Sequence, residues 1–341
     1  MRRPARLGLI VAIFCVVVVA GYTVYWRIAA GQIEAGIAAW AEAARAQNLV
    51  ASWQKLRVGG YPFAFEIEFT GAHFRDDALR PAPDISAPLL SATAAPWNFR
   101  DWAVAAPAGL DAALGPGGEP LATLAAGTAA GTVDIAVSGA VAIWFDLGGA
   151  KAEASGIGTA IDEAQFWVGV PAAPPQREQD RGLAVAADLH LVTIPLPLPP
   201  LGNTIGDIAF AAAIVGPFPP GPARQAATSW REAGGTIDVD HLHLAWNALD
   251  INASGTLALD RDLQPMGSFS GTVAGYDQLL AALASAGRIR ASDARFAAAA
   301  LGVIARPGPH GAPQIATSLT LQNGAVYLGP AKLGPVPRIP W

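Results

Sequence analysis

Cysteine is almost missing from this chain, with one residue in 341. Cys15 has no partner to pair with, so an internal disulfide framework is excluded. It lies inside an apolar run, which also removes it as a nucleophile for the rest of the chain. Charge is scarce too, at 14% of residues, where about a quarter is usual. The net charge is −5, and four of the 22 basic residues (Arg2, Arg3, Arg6 and Arg27) flank the first apolar run. The remainder is therefore more acidic still, and a nucleic-acid partner, which would need a basic patch, is not expected. Beyond the first thirty residues no apolar run is long enough to cross a bilayer as a helix. Several catalytic signatures are also missing: a Gly-x-Ser-x-Gly elbow, a phosphate loop, a dinucleotide fingerprint and a His-Glu-x-x-His helix. "GSFSG" (267–271) comes nearest to the elbow, but Phe269 stands where the nucleophile would be. These absences leave an enzyme without positive support, and no cofactor is called for.

What is present begins with "MRRPARLGLIVAIFCVVVVAGYTVYWR". Three arginines precede an apolar stretch from Leu7 to Trp26, about 20 residues and enough for one crossing. Tyr22, Tyr25 and Trp26 gather at its far end, as an interfacial aromatic belt requires. The arginines place the N-terminal side in the cytoplasm. Val18-Val19-Ala20 offers an alternative, a signal-peptide cleavage site. The apolar run continues past it, which favours an uncleaved anchor. The expected organisation is a cytoplasmic stub (1–6), a transmembrane helix (7–28) and an exported β-rich body (29–341). The polar, proline-rich "PAAPPQREQDRG" (171–182) marks a candidate subdivision.

The body reads as mostly β, helped by 37 glycines and 28 prolines. Residues 28–48 carry a helical stripe, Ile33, Ile37, Trp40 and Ala44. "VGGYPFAFEIEF" then alternates Phe63, Phe65, Ile67 and Phe69 against Ala64, Glu66, Glu68 and Thr70, the pattern of a half-buried strand. Further strands are expected at 85–92, 97–105, 132–138, 141–147, 152–156, 164–170, 183–193, 205–215, 236–246, 249–260, 267–274, 315–321 and 325–328. "IPLPLPPLGN" reads as an extended loop, because proline is excluded from central strands. Helices are expected near 223–233, 278–286 and 291–305. Gly131–Ile135 resembles Gly235–Val239, a hint of duplication. The fold class is mainly β with a few helices: one transmembrane helix, then an antiparallel curved sheet, either an open groove or a sandwich.

Candidate chemistry is sparse. His241 and His243 share one strand face and are the one metal-like pair, the basis of a metal-dependent hydrolase alternative. Asp238 and Asp240 fall on the opposite face of a regular strand. His73, His190 or His310 would have to be brought in by folding, and no metal site is assigned. Glu66 and Glu68 read as the wet side of their strand. Trp97, Trp102, Trp144, Trp167, Trp230 and Trp246 divide between core packing and the lining of an apolar groove.

"VGGYPFAFEIEF", with Gly60, Tyr61, Pro62 and Phe63, the later Pro96-Trp97 and the closing "NGAVYLGPAKLGPVP", resembles an alphaproteobacterial membrane-anchored family of unknown function. That resemblance implies an inner-membrane anchor and a periplasmic body. Residues 249–283, "LDINASGTLALDRDLQPMGSFSGTVAGYDQLLAAL", are similar to AsmA-like envelope proteins, which are associated with lipid movement. Their apolar inner groove implies a trough here, formed by Gly255, Leu257, Leu259, Phe269 and Val273. The expected function is to bind or shuttle lipid or another apolar ligand in envelope maintenance. The alternative is a scaffold with a closed β core that presents strand edges or proline-rich segments to envelope proteins.

Overall fold

A helix can run unbroken where small and apolar residues continue without proline, and here it does so for 43 residues, α1 (Arg3–Arg45). Pro4 stands in its first turn, where a missing N–H costs nothing. The computed structural model describes residues 3–79, 81–115, 120–154, 156–219, 221–308, 313–328, 331–336 and 339. The chain divides into two compact units, residues 1–121 with 128–133, and residues 122–127 with 134–341.

In the first unit α1 is followed by β1 (Leu49–Ser52), β2 (Lys55–Gly59), β3 (Phe65–Asp76), β4 (Pro83–Ala95), β5 (Asn98–Ala106) and β6 (Leu110–Leu114). β3 is the organising strand. Its first half pairs with β2 (Lys55↔Thr70 to Gly59↔Glu66) and its second half with β1 (Leu49↔Asp76 to Ser52↔His73). Its other edge carries β4, from Phe65↔Ala94 to Arg75↔Asp84. The expected Phe alternation holds from Phe65 onward, with Phe65 and Ile67 buried. Phe63 departs from it. It lies in the turn before β3 and is 76% exposed.

The stripe expected on α1 holds at Ile33, which packs on the cluster of Trp26, Ala30 and Phe65, and at Ala44, but not at Trp40. Trp26, Ala30, Ala41 and Ala44 are buried, whereas Trp40 is 47% exposed. Small side chains let a sheet approach the helix closely, so Ala41 takes the place expected for Trp40.

Next come β7 (Ala122–Ala126) of the second unit and β8 (Thr128–Ile135), most of which belongs to the first and pairs with β5. The second unit continues with β9 (Val141–Ala154), β10 (Ile157–Val170), β11 (Arg181–Leu198) and β12 (Gly202–Val215). Then follow α2 (Ala223–Glu232), β13 (Thr236–Trp246), β14 (Leu249–Leu259), β15 (Pro265–Ala274), α3 (Tyr276–Ser285) and α4 (Ala291–Ile304). Last are β16 (Arg306–Pro307), β17 (Pro313–Gln322), β18 (Ala325–Leu328) and β19 (Ala331–Pro335). From β9 to β15 each strand pairs antiparallel with the next, and β17 follows β15 across the α3–α4 insertion. β18 and β19 extend the meander beyond β17. Asn323 (φ 51°) and Gly324 (φ 68°) close the β17–β18 hairpin in the left-handed conformation that a two-residue turn demands.

Two expectations need correction. Strand β11 runs through Pro195 and Pro197, which were expected in a loop. Its ladder shifts register between Thr193 and Leu198, so the prolines fall where regular pairing has lapsed. Segment 171–182 lies inside the second unit, linking β10 to β11, and the division of the chain falls earlier, at 121–134. Asp180 holds this link in shape. Its carboxylate accepts from the backbone N–H of Gln176 (3.1 Å) and Arg177 (3.0 Å) and from the Arg177 side chain. The Arg177 guanidinium first, then these amides, hold the Asp180 carboxyl below the usual aspartate range.

Among the described residues the buried side chains are mostly alanine, with Phe65 and Leu249 the largest that are fully enclosed. Most strand residues in each unit are half-buried or exposed rather than enclosed.

Candidate functional site

The alternation of β14 puts Ile251, Ala253, Gly255, Leu257 and Leu259 on one face. Directly opposed residues in an antiparallel pair share a face. The register therefore adds Val273 (opposite Ile251), Gly271 (Ala253), Phe269 (Gly255) and Gly267 (Leu257) from β15. β17 extends it with Ile315, Thr317 and Leu319, and β13 with Leu242 and Leu244. The five expected trough residues thus do share one face.

Glycine is needed here for space. A Cβ on Gly255 would meet the Ser268 carbonyl oxygen at 2.2 Å, and one on Gly271 would meet that of Asn252 at 2.2 Å. The strands lean together on this side, as a sheet curling toward its apolar face does.

α3 and α4 roof one part of that face. At its closed end Leu249, Ala282 and Leu201 form a buried cluster, with Ile251, Val273, Leu279 and Trp246 packed around it. Next to it the roof lifts. A cavity of about 360 Å³ opens between Phe269, Val273, Ile315 and Leu319 below and Tyr276, Leu279, Leu280 and Leu301 above. Its wall is apolar, and its volume falls in the range of small-molecule sites. Phe269 and Val273 line it. Gly255, Leu257 and Leu259 continue the same face outside it.

The sequence reading missed Leu242, Ile315 and Leu319, and it missed the helical roof. Both helices were legible from their periodicity. Their packing onto the trough depended on β17 returning to β15, which no local pattern announces. Trp246 Nε1 is buried beside this cluster and has no hydrogen-bond partner among the described residues, a cost of about 1–3 kcal/mol. None of the six tryptophans singled out from the sequence lines the cavity. Trp230 is buried against the backbone of β12, while Trp144 and Trp167 form a cross-strand pair 6.0 Å apart.

The remaining polar candidates lie elsewhere. His241 and His243 stand 6.1 Å apart, ring to ring, on β13. A bulge between Val239 and Leu242 breaks the regular alternation. Asp238, opposite Thr256, and His243, opposite Asn252, thereby come to the same face instead of opposite ones. His243 approaches Asp250 at 3.4 Å. His73 pairs with Asp84 (2.8 Å) and His190 with Asp207 (2.6 Å), and His310 lies outside the described residues. Among the described residues no three of His, Cys, Asp and Glu converge on a metal position. Glu68 faces Arg57 at 3.7 Å, and Glu66 is exposed. A larger depression of about 470 Å³ beside Thr123, Lys151 and Glu153 is shallow and carries exposed charges.

The Gly60–Phe63 element joins α1 in the first unit. Gly60 (φ 91°) accepts from the N–H of Ala64 at 2.9 Å and closes a tight turn. The Tyr61–Pro62 peptide is cis. Tyr22 donates its hydroxyl to the Pro62 carbonyl, Tyr61 and Thr23 share a hydrogen bond of 2.7 Å, and Trp26 Nε1 donates to Ala64 at 3.1 Å. Trp26 also stacks on Phe65 (5.2 Å between rings), which stacks on Phe99 (5.5 Å).

α1 is the one helix among the described residues that is long and apolar enough to cross a membrane. A family described as "Uncharacterized protein conserved in bacteria (DUF2125)" matches residues 26–337. No curated protein and no solved structure matches the chain.

Proposed function

We propose that this chain, which belongs to the bacterial family DUF2125, is a membrane-anchored protein that holds an apolar ligand, the acyl chain of a lipid, beneath α3 and α4. The observation that carries this reading is the roofed apolar cavity between β15, β17 and the two helices. An acyl chain needs no catalytic group to be held. Each methylene removed from water contributes about 0.8 kcal/mol, and the face continues past the cavity through Gly255, Leu257 and Leu259, giving a long chain room to lie. The likeness of residues 249–283 to AsmA-like proteins points the same way. The arginines before the apolar run of α1 support a cytoplasmic N-terminus and a body in the periplasm, with α1 in the inner membrane. In this reading the protein binds or passes on lipid without chemical conversion.

Native mass spectrometry of the full chain, released from mild detergent, tests the proposal. The wild type is expected to carry a phospholipid mass. Thr317→Phe fills the cavity with apolar volume and is expected to remove that mass while circular dichroism stays unchanged. Lipid bound around α1 would survive the substitution and so be told apart. A wild type free of lipid, or a variant that carries as many lipids as the wild type, overturns the reading.

A second reading is favoured by the outer side of α4, where Phe296, Val303 and Ile304 are 79%, 85% and 63% exposed. Such a face suits a scaffold that docks an envelope protein. Phe296→Glu would then abolish a specific crosslink and leave lipid occupancy untouched.

A further inference from the structure

Two of the most exposed aromatic side chains in the first unit are Phe63 (76%) and Trp97 (75%). Large apolar groups left in water call for an explanation, and their position supplies one. Phe63 lies in the turn before β3, whose neighbours Pro62 and Ala64 accept hydrogen bonds from Tyr22 and Trp26. Trp97 lies in the β4–β5 turn, and the adjacent Pro96 carbonyl accepts from Tyr25 at 3.4 Å. Both turns belong to the same end of the sheet, since Phe65 and Ala94 are directly paired. Both therefore meet α1 at Tyr22–Trp26, where its bare apolar stretch ends. Above that level Ile13, Phe14 and Val16 to Val19 are all more than half exposed.

We propose that the first unit stands on the membrane through this aromatic foot, with Tyr61, Phe63 and Trp97 set in the headgroup–acyl boundary of the bilayer that α1 crosses. The proposal rests on α1 being a membrane anchor. Tyr and Trp favour that boundary because one end of the side chain is apolar and the other can be wetted. Tyr61 fits the rule, with its ring against Trp26 (5.5 Å) and its hydroxyl on Thr23. Arg27 and Arg100, both exposed, follow Trp26 and Trp97 closely in the chain and are placed to meet lipid phosphates. The other end of the unit is remote from this level. Trp26 to Arg45 spans about 28 Å of helix at 1.5 Å per residue, and the Asp77 N–H bonds to the Asn48 carbonyl just beyond it. Leu79, 55% exposed, marks that remote end.

The test uses the full chain with Cys15→Ser, in nanodiscs of phosphatidylethanolamine and phosphatidylglycerol. Single cysteines at positions 18, 63, 79 and 97 carry a nitroxide label. Power saturation compares relaxation by oxygen, which partitions into lipid, with relaxation by a water-soluble nickel chelate. Because Phe63 and Trp97 are mostly exposed, replacing them leaves the fold intact. Oxygen is expected to dominate at 18, 63 and 97, with 63 and 97 shallower than 18, and nickel is expected to dominate at 79. Labels at 63 and 97 that read like 79, while 18 reads as lipid, overturn the foot and leave the anchor standing. A water-like reading at 18 removes the anchor, and the foot with it.

Discussion

Gly271 and Gly158 show how differently one added methyl group weighs in this sheet. A Cβ on Gly271 would strike the Asn252 carbonyl oxygen and the Ala253 Cα, both backbone, whereas one on Gly158 meets nothing within 4 Å. Gly271→Ala is therefore expected to destabilise by about 1–3 kcal/mol. Gly158→Ala should stay within about 0.5 kcal/mol of wild type. Urea melts of the two variants decide it, and equal midpoints would refute the close approach of β14 and β15. The apolar alternation of these residues was legible in the sequence because a strand repeats every two positions. The need for glycine at Gly271 was not, since it arises from the neighbouring strand's backbone. Asp238 teaches the same lesson. A bulge in β13 moved it to the His243 face, and bulges follow from how strands fit together.

At the scale of elements, α1 is fastened to the first unit through Trp26, which is 9% exposed, stacks on Phe65 and donates to Ala64. Trp26→Ala is expected to cost about 3–5 kcal/mol and to release the turn at residues 60–65. Hydrogen exchange of the Ala64 amide, which bonds to Gly60, should accelerate in that variant. Unchanged protection would mean the turn holds without the helix. The 171–182 link responds to pH instead. Asp180 has its carboxyl lowered in the folded state, so its contribution is present above the usual aspartate value and lost as pH falls through the lower, folded one. Its carboxyl carbon resonance is expected to titrate below the ordinary range, and Arg177→Gln should bring the midpoint up. A midpoint at the usual value in the wild type would deny the bond. Helix positions were readable here because caps and periodicity are local. The docking of α1 onto Gly60–Phe63 was not, because it joins residues about forty positions apart.

At the largest scale, the governing fact of the second unit is a meander with a thin core. Strands β9 to β15 touch mainly their ladder neighbours, so stability is transmitted from strand to strand, as in repeat proteins. Hydrogen exchange is expected to be graded across the second unit, slowest in the central strands β10 to β13 and fastest in β18 and β19. Uniform protection would indicate a single cooperative core. The antiparallel class was legible from turn spacing and alternation, but the way the apolar face is covered was not. In the first unit, α1 meets the sheet at Trp26 and the chain closes again at Asn48 and Asp77. A rod clamped at two heights cannot nod or swing. In a bilayer the first unit would keep drifting and spinning about the membrane normal while its altitude and inclination stayed constant. Its encounters with other molecules would then be a search over a plane at one level.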